Sequence, residues 1–187
     1  MVTKRTALAA VRNDTGKPML AVSLVHKYSD NYKNKKEWAV IQPGETGESL
    51  TVDFNTGFLT TGRDWWIVTW YSPNMKTLYY LAPQNFRGLI DGLERIAPAT
   101  VGAAADEIGD AIASESGGKG QAASAVLKRA AKATTDNLFN TESTEGFKQH
   151  ILRSEDEGEV TTISISDKVT FTSRSGVSKT NFQKKSV

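Results

Sequence analysis

The chain has 187 residues, of which 39% are hydrophobic and 24% are charged, and this composition is typical of a single folded domain. Its 23 Lys and Arg residues nearly balance 21 Asp and Glu residues, so the charge does not favour nucleic acid as a partner. Cysteine is absent from the sequence, which excludes disulfide bonds, thiolate catalysis and cysteine-based metal sites.

No segment has the pattern of an export signal or of a membrane span. The first ten residues contain no apolar run of the length found in signal peptides. An uncharged apolar stretch of about 18 residues, which a membrane-spanning helix needs, does not occur. We therefore expect a cytoplasmic protein, with release by a non-classical route as the other option.

Short alternating apolar runs, separated by turn residues, predict β-strands from residue 3 to about residue 83. These strands are expected at 7–11, 19–26, 38–41, 50–54, 65–71 and 77–81. The polar, lysine-rich stretch Ser29–Lys36 is expected to be an exposed loop. Its lysines Lys33, Lys35 and Lys36 are interpreted as a solvated surface, with contact to an anionic membrane as the alternative.

Helical spacing replaces alternation after Pro83. Apolar residues recur every three or four positions over 86–96 and 101–112, and the alanine-rich stretch 122–133 favours a helix. We expect a glycine- and serine-rich loop at 114–121 and a shorter helix over 144–152. The middle of the chain is therefore predicted to be helical.

Alternation returns after the acidic residues Glu155–Glu159 and predicts a hairpin that turns at Asp167 and Lys168. This order of elements predicts a mainly β fold, an antiparallel β-sandwich with an α-helical insertion before the C-terminal hairpin. Residues 1–187 are expected to form one domain. Its predicted parts are a sandwich core at 3–83, a helical insertion at 84–150 and a C-terminal hairpin at 151–187 that completes the sandwich.

The predicted strand Trp65–Tyr71 is informative because both of its faces are apolar. Its two alternating sets are Trp66, Val68 and Trp70 on one face, and Trp65, Ile67, Thr69 and Tyr71 on the other. Strands of this kind are covered on both faces, here by the opposing sheet and the helical insertion. The alternative leaves Trp65, Tyr71 and Tyr79 partly exposed, to stack on a sugar ring or hold a cationic head-group.

The sequence contains no recognisable catalytic or metal-binding set. Its two histidines, His26 and His150, are far apart, and no Gly-x-Ser-x-Gly elbow surrounds a serine. We expect no metal and no cofactor, and a structural role for His26 at the end of an apolar strand. An enzyme built only from carboxylates such as Asp30, Asp53 and Asp64 stays open as a further class.

Several short motifs resemble the up-regulated-in-Daf domain family, small and mostly secreted β-sandwich proteins of nematodes and fungi. The motifs are Asn13–Gly16, His26–Asp30, Trp38, Asn55–Phe58, Thr61–Trp66 and Leu152–Gly158, followed by the hairpin at 161–171. The resemblance implies the fold and no particular activity. The chain departs from the secreted members because it lacks an export signal and paired cysteines, and because it carries the helical insertion. The general shape is also similar to fungal fruit-body lectins, actinoporins and aegerolysins, an analogy of fold alone.

Several proteins of those similar shapes are cytoplasmic defence proteins that bind glycans or membrane lipids. We therefore expect a non-enzymatic stress or defence protein that binds a glycan, a lipid head-group or a protein partner through loops at one end. The candidate ligand-binding residues are Tyr28, Asp30, Asn55, Asp64, Trp65, Tyr71 and Tyr79.

The alternative function is membrane perturbation, like that of pore-forming proteins, by the amphipathic segments 86–97 and 101–113. The sequence leaves open whether the chain forms a homo-oligomer.

Overall fold

The computed structural model describes residues 1–29, 31–58, 60, 62–81, 118–140, 142 and 144–187. Within these ranges the chain is mainly β, as the sequence predicts. The strands are Thr3–Asn13 (β1), Met19–Tyr28 (β2), Tyr32–Ile41 (β3), Leu50–Thr56 (β4), Asp64–Tyr71 (β5), Thr77–Leu81 (β6), Lys148–Gln149 (β7), Val160–Ile165 (β8), Val169–Ser173 (β9), Gly176–Thr180 (β10) and Phe182–Ser186 (β11). The described α-helix is Gly118–Asn140 (α1), and a 3-10 turn covers Ser154–Asp156.

The strands form two sheets that enclose one apolar core. Sheet A has the order β10-β9-β8-β1-β4, and sheet B has the order β11-β6-β5-β2-β3, with β7 added to β5. Paired strands among the described residues run antiparallel, except that β1 and β8 are parallel. The predicted β-sandwich is confirmed, with one parallel pair that the sequence did not indicate.

The beginning and the end of the described chain assemble together in both sheets. In sheet A, Leu8 of β1 lies opposite Val160 of β8. In sheet B, β11 pairs with β6, with Phe182 opposite Leu81. The predicted hairpin is confirmed as β8 and β9, whereas β10 and β11 were not predicted because their serine- and lysine-rich sequences lack a clear apolar alternation.

Strand β5 is covered on both faces, as its apolar pattern predicts. The ring of Trp66 lies 6.1 Å from the ring of Phe171 in sheet A, measured between centroids. On the other face α1 packs against β2 and β3, and the Ser23 hydroxyl donates a hydrogen bond of 3.0 Å to the Ala131 carbonyl. The helix therefore lies outside sheet B and shields it from water.

The prediction of a loop over Ser29–Lys36 is wrong, because β3 begins at Tyr32. Tyr32 lies opposite Tyr28 in the register of the two strands, which leaves only a tight turn between them. Strand β3 is at the edge of sheet B. Edge strands commonly carry lysines, which oppose pairing with other chains. The lysines of β3 gave this stretch the polar composition that is typical of a loop, and the loop prediction followed from that composition.

Two helical predictions also need correction. Helix α1 begins at Gly118, inside the stretch predicted as a loop, because an alanine-rich helix propagates into neighbouring residues once it has formed. The predicted helix over 144–152 is wrong, since residues 148 and 149 pair with β5 as the short strand β7. The predicted helices over 86–96 and 101–112 lie outside the described residues.

Within the part of the chain that the structure describes, no helix combines the length and the apolar character that a bilayer-spanning segment requires.

The packing between the sheets predicts a clear difference between two C-terminal substitutions. Phe171 is fully buried against Trp66 and His150, so Phe171→Ala should lower the free energy of unfolding by about 3–5 kcal/mol. Val177 on β10 is 62% exposed, and Val177→Ala should change it by less than about 0.5 kcal/mol. Urea unfolding measures both values, and equal effects would contradict the described packing.

Candidate functional site

A polar cavity of about 600 Å³ opens at one end of the sandwich. Two segments form its walls: the loop that joins β4 to β5, and residues 151–155, which lead from β7 into the 3-10 turn. The described residues that line it are Tyr28, Asn55, Thr56, Gly57, Thr60, Gly62, Arg63, Asp64, Ile151, Leu152, Arg153, Ser154 and Glu155.

Three of the predicted ligand-binding residues, Tyr28, Asn55 and Asp64, meet at this cavity. The strand register brings them together, because Tyr28 at the end of β2 lies opposite Asp64 at the start of β5. Asn55 is close because its carbonyl accepts a hydrogen bond of 3.1 Å from the Tyr28 hydroxyl. The predicted end of the sandwich is therefore also the end that carries the cavity.

Asp64, which lines the cavity, forms a fully buried pair with His26. His26 Nε2 lies 2.8 Å from Asp64 Oδ1. The second carboxylate oxygen, Oδ2, accepts the backbone N–H of Leu152 at 2.9 Å, and the Asp64 carbonyl accepts the backbone N–H of His150 at 3.3 Å. One aspartate thus fastens β2 and the 150–152 segment to β5.

Side-chain oxygens face both nitrogens of the His26 ring. Its Nδ1 lies 3.2 Å from Asn34 Oδ1, an oxygen that also accepts the backbone N–H of Asp53 at 3.1 Å. The Asn34 amide nitrogen donates to Asp53 Oδ2 at 3.1 Å, which fixes the orientation of that amide. Both His26 nitrogens therefore lie within hydrogen-bond distance of side-chain oxygens, one of Asn34 and one of Asp64.

The ring of Tyr28 lines the cavity and lies close against Gly62. A Cβ atom on Gly62 would lie 2.2 Å from the Tyr28 hydroxyl oxygen, far inside van der Waals contact. Burial, together with the nearby Asp64 carboxylate, raises the pKa of Tyr28 above its ordinary value of 10.0. Its hydroxyl therefore stays protonated near neutral pH and can donate a hydrogen bond.

Two arginines, Arg63 and Arg153, line the cavity from its two segments and have exposed side chains. Their backbones are fixed: Arg63 N–H donates to the Ser29 hydroxyl at 3.0 Å, and Arg153 N–H donates to Asp156 Oδ2 at 2.7 Å. Neither guanidinium has an ion-pair partner among the residues that the structure describes. Glu155 is the exposed acidic residue of the described lining.

Asp156 anchors the segment that carries Arg153. The carboxylate accepts hydrogen bonds from the Ser175 N–H at 2.9 Å and from the Ser175 hydroxyl at 2.6 Å, besides the one from Arg153. Burial acts to raise the pKa of Asp156, but these hydrogen bonds together hold that pKa below its ordinary value of 3.8. The 3-10 turn is thus tied to the loop between β9 and β10.

The structure places three further predicted site residues, Trp65, Tyr71 and Tyr79, away from this cavity. Tyr71 is buried, and Thr134 of α1 is its hydrogen-bond partner. Tyr79 stacks on Trp70 with 5.3 Å between ring centroids. Trp65 lines a separate cavity of about 380 Å³ with residues 144–149, and Asp30 lies outside the described residues. The structure therefore does not bring Trp65, Tyr71 or Tyr79 to the cavity that Tyr28, Asn55 and Asp64 share.

A lysine that the sequence did not single out lies near Trp65. Lys27 is opposite Trp65 in the register of β2 and β5, and its Nζ lies 4.6 Å from the centroid of the Phe147 ring. Burial lowers the pKa of Lys27 to about 8. In the sequence Lys27 stands next to the candidate residue Tyr28, and nothing in that position predicts that Lys27 is buried.

Sequence reasoning missed Arg63 and Arg153 as site residues. Both nevertheless belong to motifs that carry the family resemblance, Thr61–Trp66 and Leu152–Gly158. A signal was therefore present, although nothing in the sequence shows that the two motifs face each other.

Comparison with known families finds one match. The model of the family described as "Up-Regulated in long-lived daf-2" matches residues 3–182, which include ten complete strands and the start of β11. A search of curated proteins finds no match.

His150 predicts a pH dependence of stability. Its Nδ1 lies 2.9 Å from the Ser178 hydroxyl, while its buried Nε2 has no hydrogen-bond partner in the described part of the chain. Burial lowers the pKa of His150 below its ordinary value of 6.5; Asp156 and Asp64 act against this shift, and Lys148 adds to it.

Because the folded pKa is the lower one, the unfolded chain takes up this proton first, and the stabilising contribution is lost as the pH falls below about 6.5. Urea unfolding between pH 7.5 and pH 5 should show a steeper loss of stability in the wild type than in His150→Gln. Identical slopes would refute this role. The pKa of the Asp156 carboxyl is also lowered, but its contribution to stability is lost only at lower pH, near and below 3.8.

Proposed function

The chain belongs to the family described as "Up-Regulated in long-lived daf-2", and from this premise we propose that it is a non-enzymatic binding protein. Its ligand is an anionic group carried by a glycan or a lipid head-group, held in the cavity between the β4–β5 loop and residues 151–155. The family description concerns expression and not chemistry. The proposal therefore depends on the cavity, with a stress or defence role as its biological setting.

The observation that carries the proposal is that two guanidinium groups on the cavity walls have no ion-pair partner among the described residues. Arg63 and Arg153 both line it, and the described lining contains one exposed acid, Glu155. The other acid, Asp64, is occupied by His26 and by the Leu152 N–H. Guanidinium groups bind phosphate, sulfate and carboxylate through two parallel hydrogen bonds, so the cavity favours an anion.

The remaining lining suits a hydroxylated ligand. Thr56, Thr60 and Ser154 place hydroxyl groups around the opening, and Gly57 and Gly62 leave the backbone accessible. A volume of about 600 Å³ lies within the range of small-molecule sites. A phosphorylated or sulfated sugar unit, or a phospholipid head-group, matches this combination of size and polarity.

The environment of His26 supports a binding role rather than catalysis. Both of its ring nitrogens face acceptors and the residue is fully buried, so it has no free nitrogen with which to accept a proton from a substrate. Carboxylate chemistry gains little support either. Asp53 is bonded to Asn34 and Lys4 and does not line the cavity that Asp64 lines.

The alternative function, membrane perturbation by the segments 86–97 and 101–113, stays a prediction. Both segments lie outside the described residues. None of the contacts described above favours that function over binding.

Titration calorimetry with glucose 6-phosphate, glycerol phosphate and uncharged glucose tests the proposal. The phosphorylated compounds should bind and glucose should not, and Arg63→Gln and Arg153→Gln should each weaken binding by about tenfold, because each loses a charge-assisted contact. Arg12→Gln, the same change at the opposite end of β1 where Arg12 pairs with Asp14, should leave binding unchanged.

No binding of either phosphate compound, together with no anionic binder on an array of sulfated and phosphorylated glycans, would overturn the proposal. An equal effect of Arg12→Gln would also contradict it, because the loss would then reflect net charge and not the cavity.

A further inference from the structure

An aromatic side chain stands in water beside the cavity. Phe58, the second residue after β4, is 98% exposed. It does not line the cavity, although its neighbour Gly57 does. Exposing a phenyl ring to water costs free energy that burial would recover, so this exposure beside the cavity favours a binding contact.

Other exposed apolar groups lie at the same end. Ile151 lines the cavity and is 41% exposed. Val2 is 52% exposed, and it lies beside Gly57, since Thr3 pairs with Thr56 and a Cβ atom on Gly57 would lie within 3.4 Å of the Val2 Cα. Exposed apolar residues grouped next to polar ones are a mark of an interaction surface.

Cations accompany this apolar group. Besides Arg63 and Arg153, Lys33 of β3 lies one register pair before the Tyr28–Tyr32 end of the hairpin, with an exposed side chain and no ion pair among the described residues. The other two lysines of the stretch are engaged, Lys35 with Asp136 and Lys36 with Glu48. Cations without an ion-pair partner among the described residues, next to exposed apolar side chains, are complementary to a surface with an anionic outer layer and an apolar interior.

We propose that this end of the sandwich docks onto the surface of an anionic lipid bilayer, with Phe58 inserted at the interface and the cavity arginines on lipid phosphates. This inference rests on the proposed function and names the source of its anionic group. A soluble ligand in the cavity would leave the Phe58 side chain in water, whereas a bilayer surface can contact the cavity opening and Phe58 at the same time. Aromatic rings favour the membrane interface, and each basic residue near an anionic leaflet strengthens the attraction.

Co-sedimentation with phosphatidylcholine vesicles, with and without phosphatidylserine, tests the inference. The wild type should bind the anionic vesicles at least about fivefold more tightly, and added salt should weaken that binding. Phe58→Ser should weaken binding to anionic vesicles by about tenfold. Val177→Ser removes another exposed apolar side chain, one that is not part of the cavity, and should have no effect.

The same variants, titrated with glucose 6-phosphate, separate the two proposals. Phe58→Ser should bind that compound as the wild type does, because Phe58 is outside the cavity lining. Wild-type binding to the phosphate compound but to no vesicle, or equal vesicle binding by wild type and Phe58→Ser, would overturn the bilayer inference and leave the proposed function standing. Failure with both the vesicles and the phosphate compounds would count against the proposed function itself.

Discussion

The hydrogen-bonded pair of His26 and Asp64 is the interaction on which the cavity end of the molecule depends. Burying two ionisable groups without water is costly unless each finds compensating partners. Asn34 supplies a partner for the imidazole, and the Leu152 N–H supplies one for the carboxylate. To supply these partners, β2, β3, β5 and the segment after β7 must lie close together. The positions of the cavity walls follow from this arrangement.

The wider frame depends on the return of the chain to its own beginning. Strand β8 lies parallel to β1 in sheet A, and β11 adds to β6 in sheet B, so the C-terminal strands extend both layers. Helix α1 packs on β2 and β3 at the outer face of sheet B, and β5, next to β2, is buried over nearly its whole length. The two sheets carry the loops at the cavity end, where Phe58 and Ile151 are exposed.

Much of the frame could be predicted from apolar alternation, which identified the first six strands, β3 only in its second half at 38–41, together with the β8–β9 hairpin and the two-sided cover of Trp65–Tyr71. The first half of β3 and strands β10 and β11 were not predicted, because their polar residues lie at or near sheet edges, where burial does not impose an apolar pattern. For the site, Tyr28, Asn55 and Asp64 were identified from their loop positions. Arg63 and Arg153 could not be paired from the sequence, because 90 positions separate them and their segments meet only through tertiary contacts, among them the Asp64–Leu152 hydrogen bond and the pairing of β7 with β5.

The amide hydrogen exchange of Leu152 tests this central constraint most directly, because its N–H donates to a buried side-chain carboxylate and not to a strand partner. If Asp64 fastens the segment, the Leu152 amide exchanges only through large-scale opening, at a rate close to that of Val68 in the middle of β5. If it exchanges instead as fast as an exposed loop amide in the native protein, the segment is not fastened, and the cavity does not depend on the buried pair.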